Sequence, residues 1–326
     1  MKVAITGATG FIGMHLLRAI LKRGWAVKLL VLDSDHADPL EELGVEILRG
    51  DLTHRESLDG FPGDANLVYH LAGQLGRGKI SYRQMYSVNV EGTKNLLDRC
   101  VNSKIQSFIH CSAAGVIGIK GELGAKETAP YAPASPYETT KYHAERLVLD
   151  YAERYGLPVT VLRPCFVYGP GDLHKLRFFR AISKRKFHLL DDGSALWHPT
   201  FIDDVIQAFL LAAENEIQGE VFNIAGPAWI SVKEFAETIA SCLGTTIPKL
   251  KIPRRMAYLA AYCLETVCRN LNIEPPLSPT RVKFLTTHFC LDISKSKEML
   301  GYTPRVEPMK GVEHTVKWYK EHGFLA

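Results

Sequence analysis

At 326 residues the chain exceeds an average domain, and it fits one large α/β domain or a large domain with a smaller lobe. Thirty-nine basic and 35 acidic residues leave a net charge of +4, with no dense basic block or interleaved aromatic motif, so nucleic acid is not an expected partner. Hydrophobic and charged fractions of 46% and 23% are ordinary for a globular chain, and no apolar run is long enough to span a bilayer.

The chain goes directly into a strand pattern over 3–6 with no signal-peptide pattern before it, so a cytoplasmic location is expected. A helix follows over about 11–23, then strands over 27–32 and 45–48, the latter ending at Gly50-Asp51. A strand over 67–71 precedes a helix near 88–100, a strand over 107–112 precedes a helix around 137–155, and 158–162 is again strand. Apolar strands alternating with helices predict an α/β fold, a Rossmann-like doubly wound parallel sheet. After Arg163-Pro164 the rhythm breaks. Helical patterns fall near 176–186, 205–214, 232–243 and 256–271, with a strand at 222–224 and a proline-rich loop over 274–279. We read a dinucleotide-binding domain over 1–170 and a smaller, mainly C-terminal substrate lobe over 171–326, with later segments rejoining the sheet. The seven cysteines form no CxxC pair and read as reduced thiols, and no metal site is expected.

Thr6-Gly7-Ala8-Thr9-Gly10-Phe11-Ile12-Gly13 lies between the first strand and the first helix, the context of a dinucleotide fingerprint. Gly7 permits the sharp turn, Gly10 lets backbone approach the pyrophosphate, and Gly13 lets helix and strand pack closely. The helix N-terminus then meets the anion. The spacing is GxxGxxG, not the commoner GxGxxG. After the second strand Asp33 offers a carboxylate to ribose hydroxyls, or caps its loop, and no Arg follows to pair with a 2′-phosphate. NAD is therefore favoured over NADP. Asp51, followed by Leu52, is placed to accept from the adenine amino group, and Leu71-Ala72-Gly73 offer small residues where the chain passes the cofactor.

Tyr137 and Lys141 stand at i, i+4 on one helix face. A free phenol titrates near 10, too high for a base at neutral pH, and a nearby ammonium lowers it. The pair then moves a proton on or off an alcohol oxygen while Lys141 holds the nicotinamide ribose.

Together these motifs resemble the extended short-chain dehydrogenase/reductase superfamily, in its NAD-dependent epimerase/dehydratase branch. The resemblance runs through Asn89-Val90-Glu91-Gly92-Thr93, Arg163-Pro164-Cys165-Phe166-Val167-Tyr168-Gly169-Pro170-Gly171, Phe201-Ile202-Asp203-Asp204-Val205 and the tail from Leu291 to Pro304. It implies bound NAD(P), hydride chemistry at a secondary alcohol, and a homodimer through a two-helix interface. It also implies that Thr9, Phe11, Ile12, Asn89, Pro164 and Val167 line the cofactor. The family usually places Ser or Thr five residues before the glycine of its Val-Tyr-Gly motif, where this chain has Ala113. Ser112, one residue early, serves as the catalytic hydroxyl if the backbone bulges; otherwise Tyr137 works with another donor. No acid stands in 113–115, which argues against sugar 4,6-dehydration.

For the small-molecule substrate, Arg177 shares a helix face with Arg180 and Lys184, either as a diphosphate site or as a solvated face. Trp197 and His198 stand where nucleotide-sugar enzymes often carry an Arg, and line a pocket or pack. A helix bearing Met256, Tyr258, Leu259, Tyr262 and Leu264 roofs an apolar pocket or packs as core, and it resembles the 3β-hydroxysteroid dehydrogenase-like branch. A nucleotide-sugar epimerase is the leading reading. The alternatives are a dehydrogenase or reductase of an apolar alcohol and, because of Ala113, a non-catalytic dinucleotide-binding module.

Overall fold

The structure is a computed structural model that describes residues 1–35, 38–76, 80–215, 217–270, 275 and 277–325. In chain order the first half contains β1 (Lys2–Thr6), α1 (Phe11–Lys22), β2 (Ala26–Val31), α2 (Asp38–Glu41), β3 (Glu46–Arg49) and β4 (Leu67–His70). It continues with α3 (Tyr82–Tyr86), a π-helical turn (Ser87–Glu91), α4 (Gly92–Val101), β5 (Ser107–Cys111), α5 (Pro136–Tyr155) and β6 (Val159–Pro164). The second half contains β7 (Val167–Tyr168), α6 (Leu176–Ser183), β8 (Leu196–Trp197), β9 (Thr200–Phe201), α7 (Ile202–Glu214), β10 (Glu220–Ile224) and β11 (Ile230–Ser231). Helices α8 (Val232–Cys242), α9 (Arg254–Asn270), α10 (Pro279–Thr286), α11 (Ser294–Leu300) and α12 (Pro308–Glu321) complete it. Leu271, Glu274 and Pro276 of the expected helix and loop lie outside the described residues.

Seven strands form one parallel sheet in the order β10-β6-β5-β4-β1-β2-β3. This is the doubly wound order with one strand added beyond β6. Strand β10 comes from the second half, so the sheet does not close at residue 170. Its inner strands β1, β4, β5 and β6 are buried almost throughout because helices cover both faces, whereas edge strand β3 is not. Val3, Ile5, Tyr69 and Ile109 join one buried cluster with α1 and α7, and Ala4, Val68 and Phe108 join the other with α4 and α5.

The helix expected near 88–100 starts with a π-helical turn that the hydrophobic pattern does not reveal. Such a turn adds one residue per turn and is frequent at functional sites. No helix among the described residues is long and apolar enough to cross a membrane.

Candidate active site

Strand β1 ends at Thr6, and Gly7 turns the chain with a φ of +76°, a region that disfavours a Cβ. A Cβ on Gly7 would lie 2.5 Å from the Ala72 amide, and one on Gly13 would lie 2.0 Å from the Gly7 carbonyl. The turn, the loop after β4 and α1 thus interlock with no room for side chains. Gly10 donates its amide to the Gly7 carbonyl at 3.1 Å, and a Cβ there would lie 3.3 Å from that oxygen. Helix α1 starts at Gly10 with no side-chain cap and no acid in its first turn. Its first amides are left for an anion, as a dinucleotide pyrophosphate requires. The glycine cradle and uncapped amides fit NAD.

Beside this turn Thr9 Oγ1 donates to Asp35 Oδ2 at 2.7 Å, tying the glycine turn to the loop after β2. Asp33 on that loop is exposed. No arginine follows β2 in the chain, but the fold supplies one from β3: Arg49 donates to the Leu32 and Asp35 carbonyls at 3.0 and 3.1 Å. Asp51 Oδ1 accepts from the Thr53 amide at 2.8 Å. Leu52 is buried against Gly92, where a Cβ would lie 2.9 Å from the Leu52 Cβ.

At the centre of the edge, Ser135 and Glu138 form a capping box and Pro136 opens α5, which places Tyr137 in its first turn. Lys141 follows one turn later, buried, and donates from Nζ to the Cys111 carbonyl at 2.7 Å. Burial pushes its ammonium down, against the opposing influence of Cys111 and Glu145. Burial pushes the Tyr137 phenol up, with Cys111 and Glu138 adding to the effect. The expected lowering of the phenol by Lys141 is not seen here, where the ammonium is turned to the carbonyl at the end of β5.

Asn89, in the π-helical turn, accepts from the Gln74 amide at 2.6 Å and donates to the Gln74 carbonyl and Thr140 Oγ1 at 3.1 and 2.8 Å. It therefore staples the loop after Gly73 to α5. A Cβ on Gly73 would lie 3.3 Å from Asn89 Oδ1 and 4.0 Å from Lys141 Nζ, so Gly73 runs beside the lysine while Leu71 and Ala72 lie against Gly7. Below them Thr93 donates to the Asn89 carbonyl at 2.6 Å and so accepts from His70 Nε2 at 2.8 Å. His70 Nδ1 then accepts from Thr6 Oγ1 at 2.8 Å. This chain of bonds joins β1, β4 and α4, and burial holds His70 neutral, pushed down to about 3.

Strand β5 shows no bulge at its end, since Ser112 continues the ladder by donating its amide to the Leu162 carbonyl at 2.8 Å. Regular alternation turns its side chain to α5. Ser112 Oγ donates to Glu145 Oε2 at 2.5 Å. Glu145 is two turns beyond Tyr137, about 12 Å along the helix axis. It also receives Tyr131 Oη at 2.7 Å and both Nε and Nη2 of Arg163, an ion pair buried from solvent. Ala113, half-buried and extended, begins the 3₁₀ turn that follows, and brings no hydroxyl.

Beyond β6 the chain forms an aromatic chamber. Phe166 follows Pro164-Cys165 with a φ of +40°, its ring 4.9 Å from that of Trp197. Trp197 stacks on Phe284 at 4.7 Å and donates Nε1 to its carbonyl at 2.9 Å. Lys175 lies 4.7 Å above the Phe166 ring and bonds the Val167 carbonyl. These groups, with Phe178 and Leu285, wall a cavity of about 650 Å³, which Arg177, Lys186 and Arg281 also border. Of the expected substrate residues Ala113, Arg177, Trp197 and His198, Trp197 and Arg177 line it, and Ala113 is not among its lining residues. His198 does not line it either: it is buried, bonds the Gly226 carbonyl at 2.8 Å and accepts from the Leu291 amide at 3.3 Å. Of the helix expected to roof a pocket, Met256, Leu259 and Tyr262 instead turn outward, Leu264 is 36% exposed, and Tyr258 packs inward beside Leu190 and Val282.

Comparison with known proteins decides the family. The model of the NAD dependent epimerase/dehydratase family matches residues 3–225. The chain belongs to the NAD-dependent epimerase/dehydratase family. It is similar to the 3beta-hydroxysteroid-dehydrogenase/decarboxylase isoform 1 of Arabidopsis thaliana, 31% identical over 96% of this chain and 78% of the relative. It is similar too to the 4-hydroxy-2-methyl-3-oxo-4-farnesyl-3,4-dihydroquinoline-1-oxide ketoreductase of Stigmatella aurantiaca, 29% identical over 96% and 95%. Among solved structures, the UDP-glucuronic acid 4-epimerase of Bacillus cereus in complex with NAD superposes with a TM-score of 0.78, at 27% identity over 99% of both chains.

The chain is thus an enzyme of the NAD-dependent epimerase/dehydratase family, and NAD is its cofactor. The reading as a non-catalytic module falls: lack of a hydroxyl at Ala113 does not remove a chain from a family of enzymes. Sequence reasoning overlooked Glu145, Arg163, Arg49 and the His70–Thr93 bonds. Glu145 continues the i, i+4 series of Tyr137 and Lys141, a signal that was present in the chain. The partners of the other three lie 14 to 23 residues away in other elements, beyond any helical or strand spacing, and carried none.

Proposed function

We propose that this enzyme is an NAD-dependent dehydrogenase or reductase of an apolar secondary alcohol, or its ketone, that carries an acidic group. The observation that carries the reading is the cavity: Phe166, Phe178, Trp197 and Phe284 wall it, and Lys175, Arg177, Lys186 and Arg281 border it. An aromatic wall stabilises an apolar ring system by roughly 25 cal/mol per Å² buried, whereas sugar hydroxyls against it would go unpaired. The bordering cations match a carboxylate. The steroid and farnesyl-quinoline names of the two relatives favour the same class.

Gly7, Thr9, Gly10, Phe11, Ile12 and Gly13 would hold the NAD pyrophosphate, Asp33 a ribose, and Asp51 with Leu52 the adenine. Leu71, Ala72, Gly73, Asn89, Pro164 and Val167 would flank the nicotinamide half, with Lys141 on its ribose. Bound there, NAD supplies the acceptor or donor of the two electrons and the hydrogen on carbon. The remaining proton, on oxygen, we assign to Tyr137. Burial favours its protonated phenol, ready to give a proton to a ketone, and the reverse reaction makes it the acceptor. Ser112, bonded to Glu145, is a positioning residue in this scheme, and Ala113 gives the substrate oxygen room but no donor. A cytoplasmic homodimer is the assembly we propose.

The test is NADH formation with hydroxysteroids bearing or lacking a carboxyl beside the alcohol. Turnover of these, with a lower KM for the acidic member, supports the reading. Interconversion of UDP-sugars without NADH release, and none with apolar alcohols, sinks it. That outcome would favour nucleotide-sugar epimerisation, a second reading that rests on Arg177 and Lys186 as a diphosphate site.

A further inference from the structure

Helix α9 buries small residues and exposes large ones. Ala257, Ala261 and Cys268 face inward, while Met256, Leu259, Tyr262 and Val267 are between 54% and 68% exposed. At 100° per residue these four fall on one stripe roughly 140° wide, opposite the buried alanines. Leu250, just before the helix, is 68% exposed. Lone exposed apolar residues are common, but a contiguous helical stripe of them marks an interaction surface.

The stripe has a cationic flank. Lys249, Lys251, Arg254 and Arg255 are all exposed at its N-terminal end. Residues 249–270 hold five cations and a single acid, Glu265, a net +4 equal to that of the entire chain. A large apolar face with basic residues beside it, on a helix too short and too charged to cross a bilayer, is the pattern of a helix that lies in a membrane interface. An anionic bilayer complements both halves of this surface, its acyl chains the apolar stripe and its headgroups the cationic flank, whereas a second copy carrying the same positive segment complements only the apolar half.

The inner side of α9 touches the aromatic chamber. Ala257 and Ala261 pack with Leu190 and Val282, and with Ile252, Leu277 and Leu285. Leu190, Ile252, Leu277 and Leu285 also line the cavity. We propose that α9 is a docking helix for an anionic lipid surface, laid against the bilayer so that the cavity stands next to the apolar phase. The inference does not rest on the substrate reading above, because the surface is defined by α9 and the segment just before it.

The experiment sediments the full chain, without substrate, with vesicles of phosphatidylcholine alone or mixed with phosphatidylserine. Binding is expected on the mixed vesicles, weaker on the neutral ones, and falling as salt rises. Combined Leu259→Ser, Tyr262→Ser and Val267→Ser should weaken partitioning on the order of tenfold. Lys249→Glu with Arg255→Glu should remove the preference for phosphatidylserine. NAD binding, unchanged in both variants, shows that they fold. No binding to mixed vesicles, or equal binding by the serine variant, overturns the proposal. So does concentration-dependent self-association that the serine variant abolishes in the absence of vesicle binding, which would make a second copy the occupant.

Discussion

Ser112 and Glu145 share a hydrogen bond of 2.5 Å between the end of β5 and the third turn of the helix that carries Tyr137 and Lys141. Through Glu145 the bond reaches the buried guanidinium of Arg163 on β6. Two strand ends and the helix of Tyr137 and Lys141 are thus held by one carboxylate.

Removing that carboxylate leaves Arg163 charged and uncompensated. Glu145→Gln, which keeps the shape, should cost about 3–5 kcal/mol in urea unfolding, as breaking one side of a buried pair does. An unchanged midpoint and m-value would show that the pair contributes nothing net.

The glycines of the turn should separate by mechanism. Gly13→Ala places a Cβ 2.0 Å from a backbone oxygen and should destabilise the apoprotein, seen as a lower Tm. Gly10→Ala meets only the Gly7 carbonyl at 3.3 Å, so its Tm should move little while NAD affinity falls. Equal loss of Tm in both variants contradicts this division.

Tyr137→Phe should lower kcat by roughly 10²–10⁴-fold and leave NAD binding near its original value, since the phenol is assigned to proton transfer. Stopped turnover with intact titration of NAD by fluorescence is the expected pair of results. Undiminished turnover would remove Tyr137 from the mechanism.

Acid should destabilise the fold through histidines buried in their neutral form. Burial pushes His198 down to about 4 and His70 to about 3, each from near 6.5. Below 6.5 the unfolded chain binds protons that the folded chain refuses, so stability falls with pH, for His198 until about 4. Each such group contributes up to about 1.4 kcal/mol per pH unit. His198→Gln, whose amide can still donate to the Gly226 carbonyl, should flatten the dependence between pH 6.5 and 4. A slope identical to that of the parent protein would refute the assignment.

Much of this was legible in the chain. Apolar runs alternating with helical patterns predicted the parallel sheet, because strands covered on both faces need apolar residues throughout, and β1, β4 and β5 are buried from end to end or nearly so. Gly7, Gly10 and Gly13 were readable because a turn without Cβ atoms leaves a local signature. Tyr137 and Lys141 were readable because helical spacing alone puts them on one face.

Other features depend on which distant segments meet. His198 and Trp197 are neighbours in sequence, yet the fold commits one to backbone carbonyl and amide groups and the other to the cavity wall. Arg49 reaches the loop after β2 only because β3 pairs with β2. The Ser112 side chain points at Glu145 because β5 stays regular, a matter of its ladder with β6. The sequence by itself determined the parallel sheet, the glycine turn and the Tyr–Lys pair, all set by short-range spacing and periodicity. Only the tertiary structure decided the partner of Ser112, the aromatic cavity and the outward face of α9, because burial and ion pairing arise between segments tens to more than a hundred residues apart.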